Sequence, residues 1–285
     1  MEFFTQILPK YVENHINNHL PIVYMNKVVE WGLVVILGVS GAAGCTPDKK
    51  SPKLDDYDIA LQWKRDAESE YDEDAGRTKL ERALKQFQTA REHGTKPLDS
   101  LLQEADIHSM LGDPVTALKL ADEVIKQDPA PVAYSVKGLI EQRHGYFAYA
   151  IRSFTTSLEK NDYPDVRWAR AESYIGLSIS RTKIRREFVE KALEDIDKYI
   201  ASRKDEPDGY LMKASAQCML EKSISNKPHS KEAYETMKHG VALVTQGKKL
   251  RRKILQESYP AVLLQFKELE KEYEPKKEET PEKFH

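Results

Sequence analysis

Side chains able to carry chemistry are few and scattered along this chain. His15 and His19 stand one helical turn apart, a spacing that sets two imidazoles on one face as metal ligands. No third ligand lies beside them in sequence, and His93, His108, His144, His229 and His239 are far apart. There is no phosphate-binding glycine loop, GxSxG, HExxH or CxxC. The carboxylates alternate with basic residues at helical spacing, as in Lys191, Glu194, Asp195 and Lys198, the pattern of a solvated face with i,i+4 pairing. Two basic clusters stand out: Arg181, Lys183, Arg185 and Arg186, and Lys248, Lys249, Arg251, Arg252 and Lys253. They read as solvated turns or as charge offered to acidic headgroups or an acidic partner. Two cysteines are too few for a disulfide framework. Cys218, among Ala216, Met219 and Leu220, has the setting of a small buried hydrophobe, whereas Cys45 follows Ala42, Ala43 and Gly44 at the end of an apolar run. Nothing converges on a catalytic site, and the pattern implies no enzyme, no cofactor and no metal.

That apolar run, Trp31 to Ala43, is the only long uncharged one. Its 13 residues fall short of the ~20 needed to span a bilayer and match the ~7–15 of a signal-peptide core. The small residues before Cys45 resemble the bacterial lipobox, although its first position, usually leucine or another branched residue, is here Ala42. The resemblance implies that a diacylglycerol is attached to Cys45 and that the preceding peptide is cut, making 1–44 a leader and signal peptide. Met25 offers a start whose short basic region is carried by Lys27, leaving 1–24 as an artefact of start-codon choice. An uncleaved short membrane anchor and a buried apolar helix are the alternatives. Gly32, Gly38, Gly41 and Gly44 count against the helix, because each glycine inside one costs ~1 kcal/mol. Residues 45–56 are polar and read as a flexible tether.

The elements that would position any site are repeats. Among the 285 residues, 40% are hydrophobic and 32% charged, with a net charge of −2 and only 13 glycines and 14 prolines. This excludes collagen-like and low-complexity chains and gives no electrostatic basis for binding nucleic acid. Ala83-x-x-x-Phe87-x-x-Ala90 places small, large and small residues on one helical face, and the pattern returns from Ala117, Ala150, Ala192 and Ala233. The leading alanines are thus 34, 33, 42 and 41 apart. A second small residue precedes each one: Ala67, Ala105, Gly138, Ala171 and Ala214. Gly112-Asp113-Pro114 and His144-Gly145 mark turns inside the repeats; Asp128-Pro129 and Pro164 mark the joins between them.

This arrangement resembles the tetratricopeptide repeat (TPR) family, most fully over residues 97–162. The stretch from Leu101 carries Ala105, Gly112, Ala117, Ala121 and the closing Pro129, and the stretch from Tyr134 carries Gly138, Gly145, Phe147, Ala150 and Phe154. The expected fold is all-α, a TPR-like α-solenoid of about five helix–turn–helix units over 57–246, since one pair cannot bury its apolar face and several stacked pairs can. A non-repetitive helical bundle is the alternative, against which the 34 and 33 steps count. Longer turns are expected at 180–186 and 223–229. A C-terminal capping helix is expected over 247–274, with a stripe of Leu250, Ile254, Tyr259, Val262, Leu263, Phe266 and Leu269 kinked or split at Pro260, followed by a charged, disordered tail at 275–285.

In that family the first helix of each pair lines a groove that binds protein or peptide. The resemblance assigns the groove to Leu102, Asp106, Ser109 and Met110, to Ser135, Leu139, Gln142 and Arg143, and to Trp168. These positions are expected to be exposed, so reversing the charge of Arg143 or truncating Trp168 is expected to weaken partner capture without unfolding the protein. The function implied is a non-enzymatic scaffold tethered to a membrane by lipidated Cys45 that supports assembly of a bacterial envelope machine such as a pilus, secretion apparatus or outer-membrane complex. Thr46 lacks the aspartate that retains many lipoproteins at the inner membrane, which favours the periplasmic face of the outer membrane. The alternative is an accessory subunit that binds or regulates a cell-wall or polysaccharide enzyme. Glycan binding would call for groove aromatics, for which Tyr134, Trp168 and Tyr210 are the candidates.

Overall fold

The computed structural model describes residues 55–70, 72–179, 184–225 and 230–274. The leader with Cys45, His15 and His19, and likewise Arg181, Lys183, His229 and the 275–285 tail, lie outside the described residues. Eleven helices occur among the described residues: α1 (Asp56–Glu68), α2 (Glu73–Glu92), α3 (Pro97–Met110), α4 (Pro114–Gln127), α5 (Pro131–Arg143), α6 (Phe147–Lys160), α7 (Pro164–Ser178), α8 (Arg186–Ser202), α9 (Pro207–Ser225), α10 (Lys231–Thr245) and α11 (Lys253–Tyr273). They form two compact units, 55–177 and 178–274. The fold is all-α, built from TPR-like helix pairs.

Local chemistry sets the helix ends. The carboxylates of Asp55, Asp72 and Asp113 accept from the backbone N–H three residues on, closing the first turns of α1, α2 and α4, and the Ser230 hydroxyl does the same for α10. Prolines open α3, α4, α5, α7 and α9, where a missing N–H costs nothing. Gly112 and Gly145 adopt φ of 88° and 76°, and in both turns the next residue's N–H donates back to a carbonyl of the preceding helix: Asp113 to His108, Tyr146 to Glu141. Gly112 is thus followed at once by Asp113, the N-cap of α4, so the turn is only three residues long.

Packing follows the repeat. Ala83, Ala117, Ala150, Ala192 and Ala233 are all fully buried. In the first unit each apolar cluster joins one pair to the first helix of the next. Ala60, Ala83 and Phe87 of the first pair pack with Ile107 of α3; Ala105, Ala117 and Ala121 pack with Val136 and Ile140 of α5; Leu139, Ala150 and Phe154 pack with Val166 and Ala169 of α7. The core is a series of small modules, as stacked pairs require. Close approach explains Gly138, where a Cβ would lie 2.6 Å from Cε1 of Phe154. In the second unit, Ala214 of α9 packs with Tyr234 and Met237 of α10 and with Val262 and Leu269 of α11.

Of the kink or split expected at Pro260, the split does not occur: helix α11 runs through Pro260 as one element. Pro260 and Gln256, whose carbonyl loses its usual donor, are both exposed, so water can satisfy that carbonyl. The long turn expected at 180–186 lies between α7, which ends at Ser178, and α8, which begins at Arg186; an antiparallel bridge pairs Ile179 with Ile184, and Arg185 N–H donates to Ser178 O at 2.8 Å.

Candidate functional site

The lane along α3, α5 and α7 is not the open groove expected from sequence. Leu102, Asp106, Ser109, Ser135, Leu139, Gln142, Arg143 and Trp168 are all buried, none more than 4% exposed, and Met110 is half-buried. Leu102 belongs to the cluster shared with α4 and α5, Leu139 to the one shared with α6 and α7, and Met110 packs against the first pair. Ser135 Oγ shares a hydrogen bond with Ser157 Oγ at 2.7 Å, and Gln142 donates to Ala169 O at 3.2 Å. Leu102, Met110, Ser135, Leu139, Gln142 and Arg143 thus make contacts with neighbouring helices. Reversing Arg143 or truncating Trp168 therefore perturbs internal packing, and neither isolates partner capture.

The polar members of the lane form a connected chain. Asp106 on α3 sits between two cations, Lys64 Nζ of α1 at 2.5 Å from Oδ2 and Arg143 Nη1 of α5 at 3.0 Å from Oδ1. Lys64 also donates to Gln103 Oε1 at 2.7 Å and lies 3.9 Å from Glu68. Arg143 also donates to Ser109 Oγ at 2.7 Å, and that oxygen lies 3.1 Å from His144 Nε2. Burial pushes the Asp106 carboxyl up, but the Lys64 ammonium and Arg143 guanidinium outweigh it and hold the group below its ordinary value. Burial raises Glu68, with Lys64 offsetting only part. His144 is lowered, by burial first and then by Arg143. The network is internal but not fully satisfied: Arg143 Nε makes no hydrogen bond, and Asp106 Oδ2 is held by its ion pair with Lys64 alone.

A second polar cluster engages Arg251 and Arg252 of the 248–253 basic run. Asp208, near the start of α9, accepts from the backbone N–H groups of Arg251 at 3.1 Å and Arg252 at 2.8 Å, just where α11 begins. Glu206 accepts from Arg251 at 2.6 Å, Arg203 at 2.9 Å and the Tyr199 hydroxyl at 2.7 Å. Burial acts to raise Glu206, and these three donors outweigh it, so its carboxyl is lowered. Tyr234 of α10 stacks on Phe266 and Tyr273 of α11, with ring centroids 5.7 and 5.4 Å apart. Arg251 and Arg252 thus tie the start of the capping helix to the α8–α9 turn. Asp208 and Glu206 escaped the sequence reading because nothing local to them signals partners more than 40 residues away.

The aromatics proposed for glycan are also engaged. Tyr134 is half-buried with Lys160 over its ring at 5.6 Å, and Tyr210 packs on His239 at 4.3 Å. Cys218 is buried, and burial pushes its thiol up to about 12, far from a reactive thiolate. Among the described residues no His, Cys, Asp and Glu cluster could hold a metal ion, and no helix is long and apolar enough to cross a membrane.

Large apolar side chains remain open at several places, Tyr163, Ile224 and Leu264 singly, and at the start of two second helices in the first unit. Val115 is 79% exposed at the start of α4, and Tyr146 and Tyr149 are 47% and 61% exposed at the start of α6. These are equivalent ends of the second helices of two consecutive pairs. Lys119 and Arg152, each two residues past its leading alanine, are exposed beside them, and the Arg152 guanidinium lies 5.9 Å from the Tyr149 ring. The signal was available: Val115 and Tyr149 fall outside the small-large-small core pattern while Ala117 and Ala150 fall within it.

No family model matches the chain, and no curated protein matches it. Among solved structures, it is similar to MamA 41-end from Desulfovibrio magneticus RS-1, with 18% identity and a TM-score of 0.48, covering 67% of this chain and 98% of that one. It is also similar to the MamA RS-1 ArsTM double mutant, at 18% identity and TM-score 0.48 over 67% of this chain and 97% of that one. A further structure described as MamA protein shows 14% identity and a TM-score of 0.40, covering 77% of this chain and 96% of that one.

Proposed function

We propose that this chain is a non-enzymatic scaffold, tethered to a membrane, that docks a protein partner on its helix pairs. The observation that carries the docking role is the exposed Val115, Tyr146 and Tyr149 beside Lys119 and Arg152, on consecutive pairs whose other second-helix apolar positions are spent on packing. Tyrosine buries a large rigid surface while keeping a polar tip wet, which suits a protein contact that forms and dissolves. The two basic side chains suit a partner surface with acidic groups at its rim.

The tether rests on sequence: the apolar 31–43 run, the small residues before Cys45 and the polar 45–56 stretch. One acyl chain holds a protein only marginally, so stable anchoring calls for the two or three chains that lipoproteins carry. The finer reading is a lipoprotein at the periplasmic face of a bacterial outer membrane, supporting assembly of an envelope machine. A photo-crosslinking residue placed at Tyr149 in the expressed protein tests the docking role, with Lys126 as an exposed control position. One discrete protein adduct at position 149 and none at 126 supports the reading. The absence of adducts at 149, or equal adducts at both positions, contradicts it. Intact mass of membrane-extracted protein tests the tether separately: an acylated chain beginning at Cys45 is expected, and a chain retaining unmodified residues 25–45 contradicts it.

A further inference from the structure

The buried alanines also set a register for what the second helices turn outward. Two residues after Ala83, Ala117 and Ala150 stand Lys85, Lys119 and Arg152, all exposed. They belong to α2, α4 and α6, the second helices of three consecutive pairs in the first unit. Stacked repeats bring equivalent positions into line, so these cations form a ladder across the pairs. Other outward positions show no such agreement. Two residues before the same alanines stand Glu81, Val115 and Ala148, and nine residues after them stand Glu92, Lys126 and Glu159, all exposed. In the second unit the ladder's register carries Glu194 after Ala192 and Glu235 after Ala233, also exposed, so the sign reverses there. The ladder has no internal counter-charge. Lys79, Arg91, Lys137 and Arg167 of the first unit are each held by a carboxylate at 2.5–2.8 Å. Among the described residues, no carboxylate pairs with Lys85, Lys119 or Arg152.

Two rungs adjoin the open apolar side chains: Lys119 lies one turn past Val115, and Arg152 lies one turn past Tyr149, whose ring is 5.9 Å from the guanidinium. The third rung, Lys85, carries the charge onto a pair that has no such apolar group. Resting on the docking role proposed above, we infer that the partner is a protein that lays an acidic segment across α6, α4 and α2, its carboxylates meeting Arg152, Lys119 and Lys85 while Tyr146, Tyr149 and Val115 take its apolar contacts. An exposed ion pair contributes little by itself, but a set in register orients the partner, speeds encounter and rejects the wrong charge pattern. A segment fits this surface better than a membrane or a uniformly anionic polymer. Glu81, Glu123 and Glu159 are exposed on the same three helices, and continuous negative charge would meet them too. A segment with acidic groups at the pitch of the repeat meets only the cations. Glu194 and Glu235 repel the same segment, which confines it to the first unit.

Photo-crosslinking on the full chain tests this. With the crosslinking residue at 149, Lys85→Glu/Lys119→Glu is expected to lower the yield of the protein adduct at least about tenfold. Lys126→Glu, on α4 but outside the ladder, should leave it within twofold. All three positions are exposed, so the melting temperature should stay within a degree or two of the parent. A crosslinking residue at Glu81, one turn before Lys85, should give an adduct of the same mass as the one at 149. An adduct at 149 that survives the double reversal, or that has no counterpart at 81, overturns the acidic-segment inference and leaves the docking role standing. No adduct at 149 in the parent removes the docking role, and this inference with it. Cosedimentation with phosphatidylglycerol vesicles should not differ between the parent and Lys85→Glu/Lys119→Glu; a loss confined to the variant would show that the ladder serves a membrane and overturn the inference.

Discussion

Asp106 is kept ionised by its neighbours instead of by water, and this sets how the protein responds to substitution and to acid. Asp106→Asn keeps the shape and removes the charge, leaving Lys64 and Arg143 uncompensated; the expected loss is about 3–5 kcal/mol, read from denaturant midpoints. Glu68 stands nearby with the opposite sign of effect. Burial raises its carboxyl, so ionising it opposes folding once the pH exceeds its unfolded value, and Glu68→Gln is expected to leave the neutral-pH midpoint unchanged or raise it. The folded Asp106 value lies below the unfolded one, so its stabilisation is complete above about pH 4 and is lost as the pH falls through the folded value. An acid titration should therefore lose its steepest low-pH step in Asp106→Asn, and an unchanged titration would count against this electrostatic account. None of this was legible in the sequence: Asp106 and Arg143 are 37 residues apart, and Lys64 and Gln103 are 39 apart. A helical wheel places a polar residue on a face but does not name the charge that arrives from another repeat.

At the scale of elements, spacing was informative because the pairs meet at small residues. Alanine at 83, 117, 150, 192 and 233, with Gly138 among the preceding positions, marked where helices approach, and all five alanines are fully buried. Gly138→Ala puts a Cβ 2.6 Å from the Phe154 ring, so it should cost about 1–3 kcal/mol, and Phe154→Leu in the same chain should restore part of the loss. An additive double variant would show that the crossing is looser than described. The groove was misread at this same scale. The residues of α3 and α5 expected to line it contact helices on both sides, so a face that is polar in composition is still internal. The end of the second unit depends on a contact the sequence hides. Asp208→Ala removes the acceptor for the Arg251 and Arg252 N–H groups, worth about 1–3 kcal/mol, and limited proteolysis between 245 and 253 should quicken several-fold. An unchanged cleavage rate would mean that Tyr234, Phe266 and Tyr273 hold α11 without the latch.

At the scale of the whole molecule, architecture was readable and partner recognition was not. A fold made of repeated pairs declares itself through period, whereas a docking surface is whatever the packing leaves uncovered, and that is decided only when the pairs are assembled. Val115, Tyr146 and Tyr149 are such a remainder, set apart from the buried lane of Leu102, Leu139 and Trp168. The tether and the docking surface are separate claims with separate tests. The central claim, that the exposed tyrosine surface is where a protein partner docks, is tested most directly by calorimetry with the partner identified through the Tyr149 adduct. Tyr146→Ser/Tyr149→Ser is predicted to weaken binding at least about tenfold, roughly 1.4 kcal/mol, while the melting temperature stays within a degree or two of the parent. Equal affinity of parent and double variant, in a protein of unchanged stability, would contradict it.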